Sequence, residues 1–592
     1  MLSNKLKTSF MMNSNSIKSL SLILGVTLGL SSCDGLGKMI KNQNKITYEV
    51  KPNPLEMHGD SVSVAISGKY PAKLFAKKAV VTVTPILTAD GNEVALKQVV
   101  LVGEKAKGAG QKISYSKGGT FSYTDKIAYN EKIKNSKLAI KASGQVKTKK
   151  PKDFKNMEIG DATIVTPLLV RNDEKGVFAK DNFVKVIPMN QSANIFYTIN
   201  QSSVRPAELK SDEMKNLMAF INTNQNNTMW YDFKGVEVNS YASPDGKSDR
   251  NAKLSEDRGK SGSKALEGQI KKPKKGEAAS PIGDAKTYKA QNVAEDWDGF
   301  KRLMEASSMK DKDLVVRVLS MYNDDEQRER EIKNMAMTYK EIKDQILPKL
   351  RRSVLTLLVD KKSRTDEMIS AMMVSTPDSL SIEELLYGAT LTNDINTKAS
   401  VYKATEKKYP NDWRASSNYG VTMLMQNKVS DAKAAFERAA KIAPNEPIVN
   451  NGLGIIAAKN KDRKAAMDYY KKAAAAGSEV SYNMGVLDIL NGNYSEAVAH
   501  FGTYKGINLA LAQLLNGQAD AVNSTIDASN EKDLALAHYL KAVAAARKGD
   551  NSAGLASLKS AIEKDGSFKK MAKEDAEFIK WRSDAGFTAL TN

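Results

Sequence analysis

The sequence predicts a multidomain protein with three folded modules: a β-sandwich, an α/β domain and an all-α array of helical repeats. Three observations support this prediction. Apolar and polar residues alternate from about residue 46 to 165, strand and helix patterns alternate from 191 to 362, and the remaining chain contains repeats with a spacing of 34 residues. A chain of 592 residues is long enough for several modules, since one domain takes roughly 100–200 residues.

The composition excludes several classes of protein. Hydrophobic residues make up 41% of the chain and charged residues 27%, which is typical of globular proteins and too polar for many membrane spans. Cys33 is the only cysteine, and the chain has three histidines. An intrachain disulfide and a Cys/His zinc cage are therefore excluded, and we expect no metal site and no cofactor.

The N-terminus has the features of a bacterial lipoprotein signal. An apolar run at residues 19–30 follows Lys18 and is too short to span a bilayer, as in the core of a signal peptide. The next residues, LSSC ending at Cys33, resemble a lipobox, which implies cleavage before Cys33 and acylation of its thiol. The alternative is an ordinary signal peptide with an incidental cysteine. We assign residues 1–32 to the signal peptide and 33–45 to a polar tether.

The residues after the cysteine indicate the side of the membrane. Lineages that export lipoproteins to the cell surface place several acidic residues there. In this chain Asp34 is followed by Lys38, Lys41 and Lys45. The resemblance therefore implies a lipid anchor in the outer membrane with the protein facing the periplasm.

Residues 46–165 predict an antiparallel β-sandwich, of the immunoglobulin-like kind. Stretches such as SVSVAIS and AVVTVTPIL have a period of two, and turn signals such as KPNP and ADGN separate them. Residues 101–150 hold twelve lysines and three acids, within a chain of net charge +21. We interpret them as a solvated surface, with anionic lipid headgroups or wall polymers as the alternative partners. Nucleic acid is not expected as a partner.

An α/β domain is predicted after a linker at residues 166–190. From 191 to 362, strands such as ANIFYTIN and GVEVNSYAS alternate with helical stretches, and SVLTLLVD supplies a closing strand. A basic stretch with Gly and Pro, near residues 267–292, is predicted to be an exposed insertion.

One segment of this domain, SYASPDGKSDRNAKLSEDR, resembles the OmpA-like, peptidoglycan-associating family. The matching residues are Ser240, Gly246, Asn251, Leu254, Ser255 and Arg258. The resemblance implies that an aspartate and an arginine grip the zwitterionic diaminopimelate of the peptidoglycan stem. Arg258 matches the arginine, whereas Ser243 stands at the aspartate position with Asp245 two residues later. The candidate peptidoglycan-binding residues are therefore Arg258, Asp245, Ser243 and Asn251.

The chain from 363 to 592 predicts tetratricopeptide (TPR) repeats with a C-terminal cap. Pro410 and Pro444 are 34 residues apart, as are Gly420 and Gly454, and this spacing is typical of TPR arrays. Small residues let paired helices approach closely, and aromatic residues fill the space beside them. The predicted packing residues are Tyr419, Gly420, Ala432, Phe436, Ala439, Pro444, Leu453, Gly454, Ala466, Tyr470, Ala473, Gly485, Ala497 and Phe501.

No catalytic motif is found in the sequence. It contains no H-E-x-x-H, G-x-S-x-G, Walker loop or G-x-G-x-x-G. S-x-x-K tetrapeptides such as Ser114–Lys117, Ser261–Lys264 and Ser430–Lys433 occur without the partner motifs S-D-N and K-T-G and are expected by chance. We therefore predict no catalytic residues and no enzymatic activity.

Together these features predict an outer-membrane lipoprotein that is an adaptor or scaffold of a cell-envelope complex. Such a complex would act in secretion, outer-membrane assembly or appendage attachment. The TPR repeats are expected to bind a protein partner on their concave face, and the OmpA-like domain peptidoglycan. The alternative is a passive structural tether between outer membrane and peptidoglycan.

Overall fold

The computed structural model describes residues 35–89, 91–271 and 280–592. The predicted signal peptide and Cys33 therefore lie outside the described residues. The chain divides into two units: residues up to Val177 together with Asn445–Asn592 form the first, and Phe178–Pro444 form the second. No helix in the described ranges is both long and apolar enough to cross a membrane.

The N-terminal part of the first unit is rich in strands. Its elements are α1 (Gly35–Lys41), β1 (Thr47–Lys51), β2 (Leu55–His58), β3 (Ser61–Tyr70), β4 (Ala79–Ala89), β5 (Asn92–Ala95), β6 (Val99–Gly103), β7 (Gln111–Ile113), β8 (Gly119–Ala128), β9 (Lys137–Val146), β10 (Lys152–Asp153) and β11 (Met157–Ile164). The period of two buries one face of the longer strands; in β3, for example, Val62, Val64 and Ile66 are all at most 2% exposed.

These strands form one hydrogen-bonded network in the order β1-β3-β2-β11-β9-β4-β6-β7. Strand β8 pairs with β3, β5 with β4 and β10 with β9. Most pairs are antiparallel, but β11 pairs with β2 and β6 with β7 in parallel. The network is therefore mixed, whereas the sequence predicts an antiparallel arrangement. The immunoglobulin-like assignment stays a prediction.

The second unit begins with a mixed sheet and helices. Its elements up to residue 362 are β12 (Val186–Pro188), β13 (Gln191–Phe196), α2 (Asp212–Asn224), β14 (Tyr231–Tyr241), α3 (Ser248–Gln269), β15 (Lys289–Val293), α4 (Trp297–Glu305), α5 (Lys312–Met321), α6 (Asp325–Asn334), α7 (Ala336–Gln345), α8 (Leu347–Leu350) and β16 (Arg352–Lys362). The strand order is β12-β16-β14-β15, with β13 also beside β16. Apolar residues of α4 to α8, such as Phe300, Met304 and Ile342, form a small core of their own.

The predicted insertion near 267–292 differs from the structure at both ends. Helix α3 continues to Gln269, and residues from Lys289 onward form β15, which pairs in parallel with β14. All five side chains of β15 are exposed. The strand therefore lacks the apolar alternation by which its sequence could be recognised.

The rest of the described chain is helical. The second unit continues with α9 (Asp366–Ser375), α10 (Ile382–Gly388), α11 (Ile395–Lys408), α12 (Trp413–Met425) and α13 (Val429–Ile442). The first unit resumes with α14 (Pro447–Lys459), α15 (Arg463–Lys472), α16 (Ser478–Asn491), α17 (Tyr494–Phe501), α18 (Ile507–Leu515), α19 (Ala519–Asp527), α20 (Ala535–Lys548), α21 (Asn551–Lys564), α22 (Ser567–Glu574) and α23 (Ala585–Thr591). From α12 onward the helices form successive pairs joined by short turns.

Within a helix pair, a glycine on the first helix faces an aromatic ring on the second. The pairs are Gly420 with Phe436, Gly454 with Tyr470, and Gly485 with Phe501. A Cβ atom at Gly420 would lie 2.9 Å from the Phe436 ring, so any larger residue would force the two helices apart. The glycine therefore permits the close approach that the ring then fills.

The N-terminal strands and the C-terminal repeats of the first unit contact each other directly. Both terminal nitrogens of Arg463 pair with the carboxylate of Asp60, at 2.6 and 3.0 Å. The rings of His58 and Tyr494 pack edge to face, with centroids 4.7 Å apart. The sequence predicts these regions as separate modules, but the first and last parts of the chain belong to one unit.

Candidate functional site

The predicted linker contains an extended segment that lies along the helical repeats. We call residues 170–184 the strap. In the first unit, main-chain groups of the strap are bound by three buried asparagines, Asn451, Asn483 and Asn508, which we call the amide ladder. These asparagines lie on α14, α16 and α18, the first helices of three successive pairs.

The amide ladder bonds both the main-chain N–H and the carbonyl of two strap residues. The N–H of Arg171 donates to Oδ1 of Asn508, whose Nδ2 donates back to the carbonyl of Arg171, both at 2.9 Å. Asn483 makes the same pair of bonds with Lys175, at 2.6 and 3.0 Å. Asn451 donates a second bond to the Lys175 carbonyl at 3.0 Å. This recognition uses the main chain of the strap and does not depend on its side chains.

Acidic side chains of the strap also find partners on the repeats. The hydroxyl of Tyr482 donates to Asp173 at 2.7 Å, and burial raises the pKa of this tyrosine, with the aspartate adding to the effect. Glu174 pairs with the ammonium of Lys459 at 2.6 Å. These contacts hold two adjacent acidic side chains of the strap on the repeats.

Basic side chains of the strap have partners of their own. Arg171 forms an ion pair with Glu531 at 2.5 Å. The ammonium of Lys175 lies 4.3 Å from the ring centroid of Tyr482, a cation–π contact. The strap is therefore held by side-chain contacts as well as by its main chain.

The second unit binds its own part of the strap in the same way. Asn418 on α12 exchanges two hydrogen bonds with the main chain of Ala179, at 2.7 and 3.0 Å. Phe178 stacks on Tyr402, with ring centroids 6.1 Å apart. Arg171, Lys175 and Ala179 thus each have both the main-chain N–H and the carbonyl bound by an asparagine of their own unit.

A carboxylate anchors the strap beyond Ala179. The N–H of Asn182 donates to Glu383 at 2.6 Å. Hydrogen bonds from Arg414 to Glu383 lower the pKa of this carboxyl. The ring of Phe183 stacks on that of Tyr387, with centroids 4.6 Å apart.

Sequence reasoning missed these asparagines because it searched for the small and aromatic packing residues of the repeats. A signal was nevertheless present. Asn418, Asn451, Asn483 and Asn508 are at most 2% exposed, on first helices whose other buried residues are mainly apolar or small. A polar side chain recurring once per repeat at a buried position indicates a recurring hydrogen-bond partner.

The predicted packing residues are mostly buried. Pro444 is exposed, and Tyr419 and Leu453 are half-buried. The buried members are Gly420, Ala432, Phe436, Ala439, Gly454, Ala466, Tyr470, Ala473, Gly485, Ala497 and Phe501.

The candidate peptidoglycan-binding residues lie on α3 and in the loop before it. Arg258 is 1% exposed, and its Nε and Nη1 donate to the carbonyls of Gln201 and Tyr241, at 3.1 and 2.9 Å. Its Nη2 has no hydrogen-bond partner among the described residues. Burial lowers the pKa of Arg258 to about 10, so the guanidinium remains charged at neutral pH.

A second arginine, which the sequence analysis did not single out, completes this cluster. Arg351 donates to the hydroxyl of Ser243 at 3.1 Å and pairs with Asp245 at 3.2 Å. Asp245 is therefore already neutralised by a cation of the chain. Asn251 donates to the carbonyls of Ser243 and Gly246, both at 3.2 Å, which fixes the loop before α3.

Across the described ranges, no group of three His, Cys, Asp or Glu side chains is placed to hold a metal ion.

Comparison with known proteins identifies the repeats. The family model "Tetratricopeptide repeat" matches residues 399–447 and 424–480. No curated protein sequence matches the chain significantly.

Several solved structures resemble parts of the chain. The APC/C hetero-tetramer Cut9–Hcn1 matches with 14% identity and a TM-score of 0.30, over 38% of this chain and 45% of that one. This chain thus spans less than half of that protein. A tetratricopeptide repeat protein from Parabacteroides merdae matches with 12% identity and a TM-score of 0.28, over 36% and 90%. PilF of Pseudomonas aeruginosa matches with 11% identity and a TM-score of 0.26, over 38% and 98%. On the family match, the C-terminal part of the chain contains tetratricopeptide repeats.

Proposed function

We propose that the protein is a non-enzymatic scaffold whose tetratricopeptide repeats bind an extended segment of a partner protein. The observation that supports this proposal is the amide ladder. Asn483 and Asn508 each exchange two hydrogen bonds with the main-chain N–H and carbonyl of one residue of an extended chain. Such a surface recognises any extended segment that presents peptide groups at the right spacing.

In this structure the chain's own strap occupies the amide ladder. Because the strap is covalently attached, its effective concentration at the ladder is on the order of millimolar. A partner segment therefore binds in competition with the strap. The partner binds only molecules whose ladder is empty. Its apparent affinity is therefore its intrinsic affinity multiplied by the fraction of molecules with an empty ladder.

A labelled peptide with the sequence of residues 169–177 tests this proposal. The double variant Arg171→Ala, Glu174→Ala removes the ion pairs of the strap with Glu531 and Lys459. We expect this variant to bind the peptide at least about tenfold more tightly than the wild-type protein, because its ladder is more often empty. Fluorescence anisotropy measures the affinity.

Two further variants assign the binding to the ladder. Adding Asn483→Ala to the double variant is expected to abolish the gain. Adding Asn460→Ala, which removes an exposed asparagine of the same repeats, is expected to preserve it. A double variant that binds no peptide, or a gain that survives loss of Asn483, would refute the proposal.

The proposal places this scaffold at the bacterial outer membrane, facing the periplasm. The lipobox resemblance at Cys33 supports it, and Cys33→Ala is then expected to release the protein from membranes into the soluble fraction. Retention of the variant in the detergent-extractable fraction would contradict the anchor.

Peptidoglycan binding by the OmpA-like region is the second part of the proposal. The buried Arg258, whose Nη2 lacks a partner among the described residues, supports it, because a ligand carboxylate would satisfy that nitrogen. Since Asp245 is paired with Arg351, we expect weak binding that Ser243→Asp strengthens.

Pull-down with purified sacculi measures this binding. Arg258→Lys keeps a buried positive charge and is expected to reduce it, with thermal stability as the control for folding. Tight binding that Arg258→Lys leaves unchanged would exclude this site. Binding of peptidoglycan with no protein partner would favour the passive tether.

A further inference from the structure

The start of the described chain is fixed against one end of the N-terminal strands. Leu36 and Met39 of α1 are 2% and 0% exposed. A Cβ atom at Gly144 would lie 2.5 Å from Cδ1 of Leu36, so α1 packs closely on β9. The N–H of Ala76 donates to the sulfur of Met39 at 3.2 Å, which ties α1 to the loop before β4.

Lysines from four segments meet at this end of the strands. Ala79 pairs with Val146, so Lys78 and Lys147 are the next residues beyond that pair. Lys152 pairs with Gly144, on which Leu36 packs.

Two further contacts join the remaining segments to this end. The side chain of Gln43, just after α1, bonds both the carbonyl and the N–H of Lys155, at 2.9 and 3.1 Å. The N–H of Lys105 donates to the carbonyl of Lys77 at 2.7 Å. All of these lysines are exposed.

We call this surface the lysine-rich end. Its exposed lysines are Lys38, Lys41, Lys45, Lys77, Lys78, Lys105, Lys147, Lys149, Lys150, Lys152 and Lys155. The same stretches, residues 35–45, 77–78, 103–105 and 147–155, contain only two acids, Glu104 and Asp153. The excess is 11 − 2 = 9 positive charges.

We infer that the lysine-rich end binds the anionic headgroups of a lipid bilayer. Gly35, where α1 begins, is two residues after Cys33, so an acyl chain on Cys33 would hold this end against the membrane surface. Basic residues beside a lipid anchor add an electrostatic attraction to the insertion of the acyl chains. This inference rests on the lipid anchor of the proposed function. A soluble anionic polymer is the competing ligand.

Vesicle binding by the non-acylated protein tests the inference separately from the anchor. The probe is the chain from residue 33 onward with Cys33→Ser, mixed with vesicles of phosphatidylglycerol and phosphatidylethanolamine or of phosphatidylcholine alone. We expect sedimentation with the anionic vesicles at low salt, at least about tenfold weaker binding to phosphatidylcholine, and loss of binding at high salt. The vesicle experiment does not depend on the lipid anchor, which is tested separately by the fractionation of the Cys33→Ala variant.

Matched triple variants locate the surface. Lys147→Gln, Lys149→Gln, Lys150→Gln is expected to weaken binding to anionic vesicles at least about tenfold. The control Lys559→Gln, Lys569→Gln, Lys570→Gln removes the same charge from exposed positions of the C-terminal repeats and is expected to leave binding nearly unchanged. Equal loss in both variants, equal binding to both kinds of vesicle, or binding to polyphosphate without binding to vesicles would overturn the inference.

Discussion

Each asparagine of the amide ladder uses its side chain to replace the hydrogen bonds that an extended peptide would otherwise make with water. Asn483 is fully buried, so its amide must find partners within the protein. It bonds Lys175 of the strap and the Oδ1 of Asn451 on the neighbouring repeat. The Asn483 side chain thus links its own repeat and the neighbouring repeat to the strap.

Asn483→Ala should release this part of the strap. The substitution leaves the N–H of Lys175 without its partner and removes one of the two bonds to its carbonyl, at a cost of about 1–3 kcal/mol. We expect faster hydrogen exchange over residues 171–177 with little change in the strands. Mass spectrometry of peptide fragments measures the exchange.

The exposed Asn460 provides the matched comparison. Asn460→Ala should leave exchange in the strap at the wild-type rate. Wild-type protection of residues 171–177 in the Asn483→Ala variant would mean that the side-chain contacts of the strap suffice to hold it.

Glu383 makes the second unit sensitive to acid. Hydrogen bonds from Arg414 lower the pKa of its carboxyl below the ordinary value of 4.5. A carboxyl with a lowered pKa contributes stability above its unfolded pKa and loses it as the pH falls through the folded pKa. The contacts of Glu383 with Arg414 and with the N–H of Asn182 should therefore weaken in acid.

Comparison of the wild-type protein with Glu383→Gln tests this pH dependence. At neutral pH the variant should show less protection of residues 178–184 in hydrogen exchange. The difference should shrink as the pH falls below the ordinary carboxyl pKa and through the lowered pKa of Glu383, because the wild-type carboxyl then becomes protonated. A difference that is independent of pH would show that the charge of Glu383 is not what holds the strap.

At the scale of elements, three pairs of repeat helices, α12–α13, α14–α15 and α16–α17, each pack one aromatic ring against a glycine. Phe436 is fully buried on α13 and lies against Gly420 on α12. Phe436→Ala is expected to cost about 3–5 kcal/mol, because it removes the ring and leaves a cavity. We expect loss of hydrogen-exchange protection over residues 413–442.

A control variant on the same helix truncates an exposed hydrophobic side chain instead of a buried one. Ile442 is 38% exposed at the end of α13, so Ile442→Ala should change protection little. Similar losses in both variants would mean that the pairing of α12 with α13 does not depend on the ring.

The elements that the sequence predicts well have a strong period. Apolar residues recur at every second position of β3 because one face of the strand is buried. Gly420 and Gly454 recur at a fixed spacing because each packs against a buried aromatic ring. Strand β15 was missed because all its side chains are exposed, and it is held by main-chain bonds to β14. The strap was predicted as a linker for the same reason, since the amide ladder binds its peptide groups and imposes no apolar period.

At the scale of the whole molecule, proximity in sequence does not decide which parts fold together. The first unit joins the described residues up to Val177 to Asn445–Asn592. Sequence patterns report local periods, so they predict strands and repeats but not the contact between Asp60 and Arg463, which are 403 residues apart. We therefore expect the N-terminal strands and the C-terminal repeats to share their stability.

Phe501→Ala tests this expectation. Phe501 is 1% exposed on α17, next to Gly485 and in edge-to-face contact with Tyr482. Its removal should loosen α16 and α17, and with them Tyr494, the residue that packs on His58.

We expect hydrogen exchange to rise over residues 478–501 and also over 55–61, at the turn between β2 and β3. Residues 191–362 of the second unit should keep their protection. Leu534→Ala, at a position 45% exposed among the same repeats, is the control. If the strands kept full protection while α16 and α17 lost theirs, the two parts would be separate modules, as the sequence alone predicts. Loss of protection in residues 55–61 together with α16 and α17 would instead mean that the contacts of Asp60 and His58 make the strands and repeats one cooperative unit.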